Sequence, residues 1–269
     1  MTVRRRLDSE LVRRGLAGSR TEAADAVRSG LVTVAGRPAA KPATLVAPEE
    51  PIGLARPPRT FVSRGGDKLA AALDRFGVDP AGRDCLDAGA STGGFTDCLL
   101  RRGAARVVAV DVGYGQLAWS IRQDPRVVVL ERTNVRELEP ETLPFPPDMV
   151  TADLSFISLH LVLPVLRRVA APGAEFVVLV KPQFEAGPAD VASGGVVRDP
   201  AVWERALQGV AQSFREVGLH PGAAMASPLL GPAGNVEFFL HAAEGLPDSV
   251  DARTLKAAVR EGLELRAAS

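Results

Sequence analysis

The stretch LDAGASTGGFTD at residues 86–97 decides the fold, because it has the form of a ligand-binding loop between a strand and a helix. Its glycines Gly89, Gly93 and Gly94 let backbone amides approach a ligand closely. Asp87 and Ser91 supply polar groups where a helix would begin. The spacing is G-x-x-x-G-G, whereas dinucleotide sites use G-x-G-x-x-G with a third glycine for the pyrophosphate. The loop therefore favours a nucleoside ligand without phosphates.

Alternating strands and helices surround this loop. Apolar runs predict strands near residues 83–87, 106–111, 127–130, 148–152 and 175–180, with helical stretches between them. That alternation is typical of an α/β, doubly wound parallel sheet. Two further apolar runs, near 220–227 and 235–241, are joined by GPAG and predict an antiparallel hairpin at one sheet edge. A hairpin in that place resembles the way in which class I, Rossmann-like methyltransferases complete their sheet.

Two more polar residues follow predicted strands and are candidates for holding a nucleoside. Asp111, at the end of the second strand, is placed to accept both ribose hydroxyls, as an acidic residue does in NAD sites. The alternative is a local role, in which Asp111 caps the backbone at Gly113 and Tyr114. Asn134, just past the third strand, is a candidate for the adenine edge.

Four charged residues at the ends of predicted elements suggest catalysis at a hydroxyl group. They are Lys68 in SRGGDKL, Asp153 in TADLSFISL, Lys181 in LVLVKPQFE and Glu237 in GNVEFFL. A sugar hydroxyl is a weak nucleophile, so methylating it needs a base and in-line placement. Lys181 is the predicted base, and Lys68 is the like charge that favours its neutral form. Taken alone, Lys181 would be interpreted as a strand-end lysine that faces solvent. The order K-D-K-E, however, resembles the tetrad of ribose 2′-O-methyltransferases.

Chemistry on a base is the main alternative. DLSF at residues 153–156 occupies the place where base N-methyltransferases carry D/N-P-P-F/Y, but both prolines are missing. A cytosine C5-methyltransferase needs a cysteine nucleophile near the fourth strand, whereas Cys85 and Cys98 lie around the first strand. Phe184 either stacks on a target base or packs into its own core.

The first 46 residues predict a separate RNA-binding unit. Residues 1–60 contain 11 basic and 6 acidic side chains, a net charge of +5, and the rest of the chain carries −5. Leucines and alanines recur at helical spacing, followed by the strand-and-turn stretch LVTVAGRP. The pattern is similar to the S-four RNA-binding fold of a ribosomal protein. The arginines proposed to contact RNA phosphates, unless they only solvate the helices, are Arg4, Arg6, Arg14 and Arg20.

Residues 47–60, APEEPIGLARPPRT, contain four prolines and predict a stiff linker. The expected domains are therefore residues 1–58, an α+β S-four-like unit with its linker, and residues 59–269, the methyltransferase. Two cysteines are too few for a disulfide framework, which fits a reduced, cytoplasmic setting. No signal peptide, membrane segment or metal site is expected.

Taken together, the S-four-like start, SRGG-K-L, LD-GASTGGFTD, DVGYGQL, DLSFISL, LVKPQFE and GN-EFF cover nearly the whole 269-residue chain. In this combination the chain resembles the TlyA family, also known as haemolysin A, with an FtsJ-like methyltransferase domain. The resemblance implies S-adenosylmethionine as cofactor and cytidine 2′-O-methylation of ribosomal RNA within the large and also the small ribosomal subunit. It also extends the cofactor loop to Thr92 and Phe95. A membrane-active haemolysin is the weaker alternative, because no segment offers an unused amphipathic face.

Overall fold

The computed structural model describes residues 4–17, 20–55, 60–187, 190–192 and 194–268. The chain divides into two compact units, Met1–Arg59 and Thr60–Ser269. Each unit is described by itself below.

The N-terminal unit is a small α+β fold. Its helices are α1 (Leu7–Arg13) and α2 (Arg20–Arg28), and its strands are β1 (Arg5–Arg6), β2 (Val32–Val34), β3 (Arg37–Pro38), β4 (Leu45–Val46) and β5 (Ile52–Leu54). Strand β1 pairs with β4, and β2 lies between β3 and β5, all antiparallel. The apolar positions that repeat along both helices, among them Leu7, Leu11, Ala23 and Val27, are buried together.

The prediction that residues 47–60 form only a linker is wrong at Ile52–Leu54. This segment is strand β5, and its register pairs Val32 with Leu54 and Val34 with Ile52. Ile52 and Leu54 pack against the core of the N-terminal unit, which favours the strand over an extended linker. Because β5 is an edge strand, the preceding Pro51 removes no ladder hydrogen bond. Residues 56–59 lie outside the described part of the chain.

In the part of the C-terminal unit that is described, seven strands form a mostly parallel sheet. They are β6 (Asp84–Ala88), β7 (Arg106–Asp111), β8 (Val127–Glu131), β9 (Met149–Ala152), β10 (Glu175–Val180), β11 (His220–Ala226) and β12 (Phe238–Ala243). The order across the sheet is β11-β12-β10-β9-β6-β7-β8, with β12 antiparallel to both of its neighbours. The five predicted parallel strands and the edge hairpin are confirmed, and most ends agree within about two residues.

Helices cover both faces of this sheet. They are α3 (Arg64–Phe76), α4 (Gly94–Arg101), α5 (Trp119–Arg122), α6 (Leu159–Val169), α7 (Pro182–Glu185), α8 (Pro200–Glu216) and α9 (Ala252–Ala267), with short 3₁₀ turns at Val135–Glu137 and Pro140–Thr142. One core layer joins the sheet to α6, α8 and α9, where Trp203 is fully buried. The other joins it to α3 and α4 through Leu69, Leu73 and Leu99. The fold is thus a three-layer, doubly wound domain.

The strand order brings the predicted site residues to one edge of the sheet. Strands β6, β9 and β10 are parallel neighbours, so the segments after Ala88, Ala152 and Val180 leave the sheet at the same edge. Strand β12 runs the opposite way and pairs Phe238 with Val180, so the residue before it starts at that edge too. Ligands bind at this carboxyl edge in open α/β sheets, where the order of strands reverses.

Candidate active site

All four residues of the K-D-K-E set line one cleft of about 290 Å³ at the carboxyl edge of the sheet. Lys68 comes from the second turn of α3, which Ser63 begins by accepting a hydrogen bond from Gly65 N. Asp153 and Lys181 directly follow β9 and β10, and Glu237 directly precedes β12. Residues that are up to 169 positions apart in the chain therefore share one cleft.

Lys181 and Asp153 form the pair that faces the cleft. Lys181 Nζ lies 2.6 Å from Asp153 Oδ1, and it donates a hydrogen bond of 3.0 Å to Ser155 Oγ. The side chains are 12% and 24% exposed, so both reach the cleft surface. Ala152 and Val178 are register partners in adjacent parallel strands, so Asp153, one residue past that pair, and Lys181, three residues past it, leave the sheet at the same edge. The amine of Lys181 is therefore oriented by two oxygens from the segment after β9.

Lys68 and Glu237 form a second pair, which is buried. Lys68 Nζ donates to Glu237 Oε2 at 2.5 Å, and the two side chains are only 7% and 1% exposed. The loop before β12 packs closely against this carboxylate: a Cβ at Gly231 would collide with Glu237 Oε1. A lysine and a carboxylate taken out of water together neutralise each other. This pair therefore lines the cleft with little exposed area, whereas Lys181 is more exposed there.

A larger cleft of about 890 Å³ adjoins the first. Its lining includes Asp111 and Asn134, the two residues predicted to hold a nucleoside. The two clefts have four lining residues in common, namely Gly89, Ser91, Asp153 and Ser155. A ligand in the larger cleft therefore lies next to the four charged residues.

At two positions of the glycine loop between the clefts there is no room for a side chain. Gly89 has φ +88°, and a Cβ there would lie 2.5 Å from the carbonyl oxygen of Asp153. Gly94 begins α4, and a Cβ there would collide with Ser63 Oγ. Thr92 and Gly94 line the smaller cleft with their neighbours. The loop thus brings the helices α3 and α4 and the segment after β9 into close contact.

Asp111 is held at the cleft surface by backbone amides. Its Oδ2 accepts a hydrogen bond from Ser91 N and its Oδ1 accepts one from Gly113 N, each at 2.7 Å. A carboxylate oxygen has two lone pairs, so each oxygen keeps one for a further donor. Asn134 accepts from Arg136 N at 3.1 Å and begins a 3₁₀ turn. The local capping role and the ligand role of Asp111 are therefore compatible.

Asp87 and Gly93 of the predicted cofactor set line neither cleft, and Phe95 lines the smaller cleft while its ring packs into the core. Asp87 is fully buried under the loop and accepts from Thr96 Oγ1 at 2.6 Å. Its burial raises the pKa of this carboxyl to about 7. The Phe95 ring packs on Phe239 in the core, at 6.1 Å between ring centres. Gly93 faces Leu117, which a Cβ would approach to 2.8 Å. These residues shape the loop from below.

Sequence reasoning missed part of the cleft wall. Phe156 is 92% exposed and has φ +63°, a left-handed conformation that is strained for an aromatic residue. Its ring lies 5.2 Å from that of Phe184, which was singled out from sequence, and both line the larger cleft. Ser155 is a further partner of Lys181. The signal for Phe156 was its place in DLSF, where base methyltransferases carry a stacking aromatic residue.

The four arginines predicted to bind RNA lie in the N-terminal unit and all contact acidic residues there. Arg4 pairs with Glu50 at 2.6 Å, and Arg6 and Arg20 both bind Asp8. Hydrogen bonds from Arg6 lower the pKa of Asp8 well below its usual range. Arg14 is different, because its guanidinium contacts Glu10 and also the carbonyl oxygens of residues 47, 48 and 50.

The described residues contain neither a membrane-spanning helix nor a cluster of metal-binding side chains. None of their helices is long and apolar enough to cross a membrane. No group of three or more His, Cys, Asp or Glu side chains among them is arranged to bind a metal ion.

Comparison with family models defines the class of protein. Residues 61–244 match the FtsJ-like methyltransferase family, and residues 5–52 match the S4 domain. The chain is thus an FtsJ-like methyltransferase with an S4 domain ahead of it.

Relatives that match nearly the whole chain identify the family within this class of methyltransferases. The 16S/23S rRNA (cytidine-2′-O)-methyltransferase TlyA of Mycobacterium tuberculosis is 53% identical over 264 residues, 98% of either chain. The chain therefore belongs to the TlyA family. The provisionally named rRNA methyltransferase YqxC of Bacillus subtilis is 46% identical over 88% of this chain and 84% of its own. A solved Streptococcus thermophilus protein, provisionally named a hemolysin, is 36% identical with a TM-score of 0.80, and 98% of both chains is covered.

Proposed function

We propose that this protein transfers a methyl group from S-adenosylmethionine to the 2′-hydroxyl of cytidine in ribosomal RNA. The observation that carries the proposal is that two lysines and two carboxylates line a cleft continuous with the glycine-loop cleft. The arrangement suits removal of a proton from a hydroxyl group beside a bound nucleoside. The M. tuberculosis relative, which is named for action on both 16S and 23S rRNA, supports large-subunit and also small-subunit RNA as substrates.

The larger cleft fits the nucleoside half of S-adenosylmethionine. The Asp111 carboxylate keeps two free lone pairs for ribose hydroxyls, and Asn134 lies on the same wall. The loop at Gly89 has no space for a side chain, so the backbone itself borders the cleft. Its glycine spacing lacks the third glycine of a pyrophosphate site. When bound, S-adenosylmethionine supplies an electrophilic methyl group on a sulfonium centre.

Lys181 is the proposed base. Asp153 and Ser155 hold its amine at the cleft surface, and in its neutral form the amine accepts the proton of the 2′-hydroxyl. The oxygen thereby becomes a nucleophile for the methyl carbon. Lys68 adds a positive charge in the same cleft, and its buried partner Glu237 fixes where that charge lies. Correct placement of the reacting groups contributes to the rate in addition to proton removal.

The N-terminal unit is the proposed RNA-docking part. In residues 1–60 basic side chains exceed acidic ones by five, whereas the rest of the chain is net negative. Asp8 holds Arg6 and Arg20 in defined positions, and both guanidinium groups stay about half exposed. Exposed guanidinium groups bind phosphates by paired hydrogen bonds. We assign residues 1–58 to RNA binding and residues 59–269 to catalysis, in the cytoplasm where ribosomal subunits are found.

Methyl transfer to isolated ribosomal subunits tests this proposal. The subunits are taken from cells that lack this methyltransferase and are incubated with the protein and methyl-labelled S-adenosylmethionine. We expect label in cytidines of large-subunit RNA and also of small-subunit RNA. Subunits from cells that contain the protein are the control, because their sites are already modified and should accept little label. Absence of label from both RNAs in the unmodified subunits would contradict the proposal.

A further inference from the structure

Glu185 connects the two segments that carry Lys181 and Asp153. It is the last residue of α7, the single helical turn that begins directly after Lys181. Its Oε2 accepts a hydrogen bond from Ser158 Oγ at 2.5 Å, and its Oε1 accepts one from Leu159 N at 2.9 Å. Leu159 is the first residue of α6, which follows the Asp153 segment, and Ser158 is the N-cap of that helix. Both oxygens of one carboxylate are thus bound to one neighbouring segment.

This contact is the last of three that join the two segments in order. Lys181 contacts Asp153 and Ser155, Phe184 contacts Phe156, and Glu185 contacts Ser158 and Leu159. The segments that follow strands β9 and β10 thus lie side by side beyond the sheet, although no backbone pairing of the two strands extends there. The first contact includes the proposed base and the last includes Glu185.

The Glu185 carboxylate does more than cap a helix. Ser158 already caps α6, since its Oγ accepts from His160 N at 3.2 Å. His160 bonds through Nδ1 to Ser213 on α8, so it does not compete for Glu185. Glu185 is partly buried, and this burial raises the pKa of its carboxyl. Placing a carboxyl group here is unfavourable in itself, which suggests that the connection between the segments has a role.

We propose that Glu185 is a positioning residue that fixes α7 against the start of α6 and so holds the Lys181 amine against Asp153. The inference rests on the proposed role of Lys181 as base. Without the two hydrogen bonds, α7 is released at its far end, and Lys181 is attached directly to its near end. Misplacement of a reacting group by about 1 Å lowers a rate by as much as about 100-fold.

The test compares Glu185→Ala and Glu185→Gln with wild type in kcat, KM for RNA and S-adenosylmethionine affinity. For Glu185→Ala we expect kcat to fall by about 10- to 100-fold, with KM and cofactor affinity within about twofold of wild type. For Glu185→Gln we expect most of the rate to return. The amide oxygen can accept from Leu159 N, and the amide NH₂ can donate to Ser158 Oγ. Ser158→Ala, which removes one of the two bonds, should give an intermediate rate.

Glu244→Ala is the matched control. Glu244 also joins two segments, because it accepts from Gly173 N at 3.2 Å and pairs with Arg167. It lies just after β12, at the opposite edge of the sheet. We expect this variant to lose stability to a similar extent as Glu185→Ala but to keep kcat within about twofold of wild type.

Two results would overturn the positioning role. One is a kcat for Glu185→Ala that stays near wild type or falls no further than in Glu244→Ala. The other is a kcat for Glu185→Gln as low as that of the alanine variant, since charge and not geometry would then matter. Ser158→Ala decides the question if Glu185→Ala does not fold: an unchanged kcat contradicts the proposal. Lys181→Ala in the same assay separates the two ideas, because full activity of that variant would reject the base itself.

Discussion

Lys68 Nζ donates a 2.5 Å hydrogen bond to Glu237 Oε2 although 169 positions separate the two residues. The pair is almost completely enclosed, whereas the second pair, Lys181 with Asp153, is partly exposed. Burial and exposure thus divide the four charged residues into a supporting pair and a pair that can meet substrate. A base has to reach the proton that it removes, which is why we assign this role to Lys181.

We predict that breaking the buried pair destabilises the fold. Glu237→Ala leaves the Lys68 ammonium without a partner, and loss of one member of a buried ion pair lowers the free energy of unfolding by about 3–5 kcal/mol. Urea denaturation of the full chain measures the change. Arg75→Ala is the control, because Arg75 and Glu261 form a pair at the surface, and such pairs contribute roughly 0–1 kcal/mol. Equal losses in the two variants would show that the Lys68–Glu237 pair is not structural.

We predict that Lys181→Ala loses nearly all methyl transfer but still binds S-adenosylmethionine. The amine is proposed to touch the hydroxyl of the RNA, and it does not line the larger cleft. Turnover with ribosomal subunits and calorimetric titration of the cofactor measure the two properties. Lys256→Ala, at an exposed lysine on α9, is the control and should behave as wild type. Turnover of Lys181→Ala at the wild-type rate would exclude Lys181 as the base.

Much of the fold could be predicted from the sequence, since five parallel strands and the edge hairpin leave local signals of apolar runs and turn residues. Strand β5 could not be recognised, because only two apolar residues, Ile52 and Leu54, mark it among prolines. Its pairing with β2 depends on a contact with residues about 20 positions earlier in the chain. Short edge strands of this kind are specified by tertiary packing more than by local pattern.

We predict a pH dependence of stability at Glu175. The imidazole of His241, 3.6 Å away, and the guanidinium of Arg83, 3.3 Å away, lower the pKa of Glu175 to about 2. A carboxyl group whose pKa is lower in the folded state stabilises the fold above its unfolded pKa of about 4.3, and this contribution is lost as the pH falls. The stability difference between wild type and Glu175→Gln should therefore shrink between about pH 4.5 and 2. Urea denaturation across this range measures it, and a constant difference would contradict the prediction.

We predict that the four N-terminal arginines do not act alike. Arg6→Ala and Arg20→Ala each remove an exposed guanidinium. The slope of the logarithm of the RNA-binding constant against the logarithm of the salt concentration should therefore become shallower by about 0.7–0.9 for each phosphate contact that is lost. Arg14 is only 21% exposed and holds backbone carbonyls. Arg14→Ala should therefore increase hydrogen exchange in the N-terminal unit. Filter binding at several salt concentrations tests the first two variants. An unchanged slope in both would contradict their role at phosphates.

The four charged residues that share the smaller cleft could be named from sequence, but their pairing could not. Which lysine meets which carboxylate depends on β12 lying beside β10, with Phe238 opposite Val180. The proposed role of Glu185 could not be predicted either, because its partners Ser158 and Leu159 are 27 and 26 positions away. Such contacts follow from the order of strands in the sheet, which the periodicity of a single segment does not contain.

Alkaline hydrolysis of the methylated RNA tests the central claim most directly. Alkali cleaves RNA by attack of a 2′-oxygen on the neighbouring phosphate, so a methyl group on that oxygen removes the nucleophile. A methyl group on a base leaves it free. If Lys181 removes a proton from a ribose hydroxyl, the label should be recovered in dinucleotides that resist alkali. Recovery of the label only in mononucleotides would contradict 2′-O-methylation and favour methylation of the base.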